Sequence, residues 1–292
     1  MSALTANVAL VSDTTVVDFS QITAVAAALQ KQVTRDFGPL WTVEATVSAF
    51  DKLESVPVDY WPVIVRDDIN EPGAAGFHTD DNGQPFSLVQ ADDGWALTSS
   101  HEVLEMLADP FGNRTIAGSP PPDSPEPVAS LQRVVYLVEV CDPCEAEPFA
   151  YTSNGVTVSD FITPHYYDPN GTMGARYSFR GNVEAPHTVL EGGYVSFGNP
   201  VDNNWYQIIV VNGQTRVRDL GVINVATGKS LRELVDRAVR EVRKKEKYRT
   251  KPALTKAAAA AAAAGSALQK TSAARAKSLR NYVQKLKTRD VA

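Results

Sequence analysis

The segment Ser99–Pro110, SSHEVLEMLADP, constrains the fold more than any other stretch of the chain. On a helix at about 100° per residue with His101 at zero, Glu105 falls at about 40°, Asp109 at about 80° and Glu102 at about 100°. Val103, Leu104, Met106, Leu107 and Ala108 fill the wider arc, from about 140° to about 340°. A helix with that much apolar circumference is packed on most of its sides. Its polar stripe of one His and three carboxylates must then face water, a cleft or a metal ion.

His101 and Glu105 lie one turn apart and can bind one ion. Glu102 sits on the flank of these ligands and suits a general base that activates water. This is the arrangement of an H-E-x-x-H helix, with Glu105 in place of the second His. Third-ligand candidates are Asp109, on the same stripe, and Glu139 or Asp142 in the later YLVEVCDPCE segment. Zinc is the first choice of ion, and a Glu-rich set also suits Mn or Ca. A plainer reading stands beside this one. Ser99-x-x-Glu102 is also a capping box, in which Glu102 only caps the helix, Glu105 and Asp109 lie on the surface, and His101 is a satisfied buried His.

His101-Glu102-Val103-Leu104-Glu105 resembles a variant of the zinc-metallopeptidase (zincin) helix. The order before it is similar to a zincin half-domain: a long helix, a few strands, and an edge strand at Phe86–Gln90. The wording SHEVLEMLADPFGN resembles an uncharacterised family of metallopeptidase-like proteins found in bacteria, phages and large viruses. The resemblance spans about residues 20–215 and takes in WTVEATVSAF, GAAGFHTDDNGQPFSLV and YLVEVCDPCE. It implies an α+β fold, a zincin-like mixed sheet with an active-site helix. A strand-rich region and a basic helical or disordered tail follow. The likeness to the zincin helix implies hydrolysis of peptide bonds, a peptide or protein substrate, and a distant carboxylate as third ligand. The position ten residues after His101, used for a third ligand in one zincin branch, is Phe111 here.

The pattern divides into a half-domain over 1–118, a Pro-rich connection over 119–130, a strand-rich region over 131–228 that packs on the first, and a tail over 229–292. In the first region, strands are expected at Ala6–Val11, Thr42–Phe50, Pro62–Val65 and Phe86–Gln90. A helix begins at Ser20, carries Ile22, Val25, Ala26, Leu29 and Val33, and stops at Gly38-Pro39; a second spans Ser100–Ala108. SPPPDSPEP, 119–127, reads as extended and exposed. Strands follow at Val134–Val140, Gly155–Asp160, Ala175–Phe179, Tyr194–Phe197, Tyr206–Val211 and Thr215–Val222, with a hairpin at Asn212-Gly213.

Charge separates the tail from the body. Of the 28 Lys and Arg, 18 lie in 229–292 beside five of the 34 Asp and Glu. The tail is therefore strongly basic and the body acidic. Ser230–Tyr248 reads as a helix with Leu231, Leu234, Val235, Ala238 and Val242 on one face, and Ala257–Ala264 is an unbroken Ala run. Such a tail fits nucleic acid, an anionic surface or an acidic partner, or else is solvated with no partner. No membrane span and no secretory start are expected, which points by default to the cytoplasm or a virion.

Smaller signals remain. Cys141-Asp142-Pro143-Cys144 reads as a turn with one buried thiol, or as a disulfide, metal or redox pair. His165 and Tyr166 are candidates for substrate binding. His78 is a turn residue or a cleft residue, and His187 has no supporting context. Ser99 and Ser100 lack the elbow of a serine nucleophile. Two functions compete: a metal-dependent peptidase, or a catalytically inactive zincin-scaffold binding or phage-assembly protein with a basic tail.

Overall fold

A computed structural model describes residues 5–71, 73–122, 124, 126–225 and 229–249. The chain opens with β1 (Ala6–Asp13), α1 (Phe19–Lys31), a π-helical stretch at Gln32–Phe37, a short α2 (Gly38–Trp41) and β2 (Ala45–Phe50). Asp18, not the expected Ser20, caps α1. It accepts from the Gln21 amide, and the Gln21 side chain accepts from the Asp18 amide, a reciprocal box that satisfies two orphan donors. Gly38-Pro39 does not end the helical run as expected but opens α2, because Pro is tolerated in a first turn. The chain turns only at Thr42, which is left-handed at φ 56°.

Next come β3 (Tyr60–Arg66), β4 (Gly76–Asp81), β5 (Gln84–Gln90) and α3 (Trp95–Ala108). The first sheet has the order β2-β1-β3-β5-β4, parallel except for β4, which is antiparallel at one edge. The segment expected at the edge, Phe86–Gln90, is therefore internal. β4 covers it through a two-residue turn at Asn82-Gly83, both at positive φ, as tight hairpins require. β1 and β3 read as unbroken apolar runs because both sheet faces are covered. Val8, Leu10, Val63 and Val65 pack with Ile22, Leu29, Val103 and Met106, while Ala9, Val11 and Ile64 pack with Leu53, Val56 and Ile69.

The second half forms β6 (Thr115–Gly118), β7 (Val134–Leu137), β8 (Tyr151–Ser153), β9 (Val156–Val158), β10 (Tyr194–Gly198), β11 (Asn204–Val211) and β12 (Gln214–Val222). An antiparallel sheet runs β12-β11-β10-β7-β6, and β8–β9 is a separate hairpin. The strand expected over Val134–Val140 ends at Leu137. Beyond it the backbone leaves the sheet, and Val138 and Val140 bond instead to Arg114 and Ile162. Ala175–Phe179 forms no strand and contributes one bridge, Ser178 to Ile162. In the Pro-rich connection, Pro121 is buried. The molecule thus has mixed α and β content. Its largest apolar cluster runs from Val8 in the first sheet to Ile208 in the second.

The last described element is α4 (Leu231–Arg249). Leu231, Leu234, Val235 and Val239 pack against Leu137, Trp205 and Ile223, so this part of the basic segment is docked on the body. The Ala run and the rest of the expected tail, 250–292, lie outside the described residues. No helix among the described residues is long and apolar enough to cross a membrane.

Candidate metal centre

α3 starts at Trp95 with Gly94 as its N-cap, a full turn before the expected Ser100. Ser99 and Glu102 therefore lie inside the helix, and the capping-box reading of Glu102 does not hold. Ser100 Oγ donates to Gln32 Oε1 at 2.8 Å and accepts from Ser159 N at 2.9 Å, while Gln32 Nε2 donates to Ser159 O at 3.0 Å. This buried network fixes the rotation of α3 between α1 and the second half. On the opposite flank the helix meets β4 at Gly76. A Cβ there would stand 2.7 Å from Thr98 Cγ2 and 2.8 Å from Glu102 Oε1.

The polar stripe faces two groups of ligand-type atoms. In the outer one, His101 Nε2 lies 3.2 Å from Glu105 Oε1 and 3.2 Å from Asp142 Oδ1. Asp142 arrives on a 3-10 turn at Asp142–Cys144. That turn sits tight on Gly193, where a Cβ would come within 2.7 Å of the Asp142 and Pro143 carbonyl oxygens. Cys141 N donates to Glu105 Oε1 at 3.2 Å, which aims that oxygen at His101. His101, Glu105 and Cys141 form one set close enough to hold an ion, and His101, Asp142 and Glu145 form another. Ligands at about 2.0–2.1 Å from a tetrahedral ion stand about 3.3 Å apart, so the His101 spacings fit. Asp142 Oδ1 is buried and accepts no aligned hydrogen bond.

The charges of this group are interlocked. Burial works against a charged His101, but Glu105, Cys141 and Asp142 outweigh it and raise its pKa well above the ordinary value. Burial likewise opposes ionisation of Glu105, yet His101 and Arg232 hold it well below the usual carboxylate range. Burial pushes Asp142 well up, reinforced by Glu105 and opposed by His101. Glu145 is pushed up to about 7, by burial and then by Glu105 and Glu102 against the pull of His101. Cys141 and Cys144 are free, buried and raised by that burial, which disfavours the thiolate that redox chemistry needs.

The inner group is His78, Glu105 and Glu139. Arg232 of α4 reaches into it. Its Nη2 lies 3.3 Å from Glu105 Oε2 and 3.2 Å from Glu139 Oε2, and its Nη1 meets His78 Nδ1. Glu102 Oε2 lies 3.6 Å from His78 Nδ1 and accepts no hydrogen bond. A cavity of about 560 Å³ opens beside both groups, walled by β4, α3 and α4, with His78, His101, Glu102, Glu145 and Arg232 in its lining.

Of the residues expected from the sequence, the structure gathers His101, Glu102, Glu105, Glu139 and Asp142. It does not gather Asp109, whose two oxygens accept from Asn113 N and Arg114 N at 3.1 and 2.8 Å and so hold the turn after α3. His165 is exposed and paired with Asp168 at 2.8 Å. Tyr166 is fully buried between Tyr136, Tyr167 and His187. Neither lines the cavity. Sequence reasoning missed Glu145 and Arg232 and left His78 undecided. The alternation Gly76, His78, Asp80 in a strand was a usable signal for His78; nothing local marked Arg232.

The chain matches no known protein-family model, no curated protein and no solved structure.

Proposed function

We propose that the chain is a metallopeptidase-like hydrolase on a zincin-like scaffold. His101 would hold one divalent ion, zinc by first choice, with Glu105 and Cys141 on one side or Asp142 and Glu145 on the other, and Glu102 would be the general base. The observation that carries this reading is the approach of two carboxylate oxygens, from separate elements, to one imidazole nitrogen at 3.2 Å each. The parallel sheet with one antiparallel edge strand beside α3 supports it at the level of topology. A bound ion would polarise a carbonyl and ease the deprotonation of water. Glu102 lines the cavity, and its Oε2, buried beside His78, accepts no hydrogen bond, so it is free to take a proton. β4, an edge strand on the cavity wall, offers main-chain groups to an extended peptide.

A second reading, an inactive binding scaffold, is favoured by Arg232, whose guanidinium already lies against Glu105. Hydrolysis of casein and of mixed peptides separates the two. Wild-type protein loaded with zinc should cleave, and a chelator or His101→Ala should abolish it. Glu102→Gln should keep the metal and lose about 10²-fold or more in rate. No cleavage by metal-loaded wild type, or full activity in Glu102→Gln, sinks the catalytic reading.

A further inference from the structure

The inner group has features that the outer one does not account for. His78 Nε2 lies 3.1 Å from the Asp109 carbonyl oxygen. A carbonyl only accepts, so Nε2 donates to it, and Nδ1 is turned inward against the Arg232 guanidinium, the way a ligating His is oriented by its other nitrogen. Glu139 is buried, and neither of its carboxylate oxygens has an aligned hydrogen-bond donor among the described residues. Its contacts in the group are the ion pair with Arg232 and the neighbouring Glu105 carboxyl. The guanidinium touches the His78 ring nitrogen and carbonyl and two carboxylates, the kinds of donor atom that a small cation takes.

We propose that His78 Nδ1, Glu105 Oε2 and Glu139 form a second divalent-cation position, which the Arg232 guanidinium fills in this conformation. The position shares Glu105 with the outer group but stands on its own ligands, so it does not require the proposed hydrolysis. Glu105 turns Oε1 toward His101 and Oε2 toward Arg232, so it would bridge two ions. A mixed nitrogen and carboxylate set of this kind suits Zn²⁺ or Mn²⁺. Arg232 also lines the cavity, with its Nε 3.9 Å from Asp236, so the displaced side chain has a carboxylate to swing toward. α4 is thereby a strap whose buried Arg232 and the ion exclude each other.

The test is elemental analysis of full-length protein, stripped with chelator and then equilibrated with Zn²⁺ or Mn²⁺ alone. Arg232→Ala should bind one equivalent more than wild type, and Arg232→Ala/Glu139→Gln should lose that gain. His101→Ala/Arg232→Ala should keep it, which separates this position from the outer one. If Arg232→Ala does not fold without metal, Arg232→Met is measured beside it, and folding of either variant restored by either ion supports the position. The proposal is overturned if folded Arg232→Ala binds no more than wild type. A gain that survives Glu139→Gln, or variants that stay unfolded with metal present, overturns it as well.

Discussion

Asp142 Oδ1 stands 3.2 Å from His101 Nε2, buried, without an aligned hydrogen bond between them. A plain ion pair would be expected to align the N–H with its acceptor. Converging on a shared third point is what two ligands do. Asp142→Asn keeps the shape and removes the charge. It should lower the affinity for Zn²⁺ by at least about tenfold, since even outer partners of a ligand are worth that much. Competition with a chromophoric chelator reads the change. An unaltered affinity would make the pair merely structural.

Ser100 offers a prediction about stability. Its hydroxyl serves both Gln32 Oε1 and the Ser159 amide inside the core. Ser100→Ala leaves an acceptor and a donor buried and unpaired. The cost should be about 2–4 kcal/mol, read from urea unfolding. A loss under about 0.5 kcal/mol, the size of an ordinary surface change, would mean that the network does not hold α3 in place.

Gly76 keeps α3 and β4 in contact. Gly76→Ala should destabilise by about 1–3 kcal/mol, as overpacking does, because the new methyl meets Thr98 Cγ2 and Glu102 Oε1. Thr98→Ser removes the nearer of the two obstacles. The double variant should recover part of the loss in a thermal melt, and purely additive effects would count against the contact.

His187 predicts a pH dependence. It stacks on Tyr136 with ring centroids 5.0 Å apart, and burial pushes it down from 6.5 to about 4. Between those values the unfolded chain takes up a proton that the native chain refuses. Its contribution is complete above pH 6.5 and is lost as the pH falls toward 4. At about 1.4 kcal/mol per pH unit the window is worth about 3 kcal/mol. His187→Phe keeps a ring on Tyr136 and does not titrate. It should lose less stability than wild type between pH 7.5 and 4.5, and equal losses would refute the assignment.

What the sequence made legible follows from the reach of each signal. The stripe on α3 was readable because helical period is local, and it brought out His101, Glu102 and Glu105. Asp109 belonged to the same stripe, but it stands at the last turn, where two free amides downstream claim its carboxylate. The start of α3 was placed too late because Trp95–Thr98 carries no cap beyond a glycine. β4 was hidden by its polar and glycine residues, which an edge strand tolerates. Glu139 and Asp142 were named as alternatives because no local pattern tells where a strand will leave its sheet. Arg232 lies 127 residues from Glu105. The packing of α4 on Leu137 and Trp205 brings it back, together with the Leu231 and Arg232 amides, which donate to Asn113 Oδ1 and Gly112 O.

The apolar cluster that passes from Val8 through Met106 to Ile208 draws on the proline-rich connection, among its described residues, at Val128. A protease that cut the chain between Ser119 and Pro127 would therefore sever a covalent link without parting the pieces. Only if separated would each fragment bare to water the apolar surface that the other covers. The largest part of the interior is therefore encoded jointly, by residues on both sides of the connection.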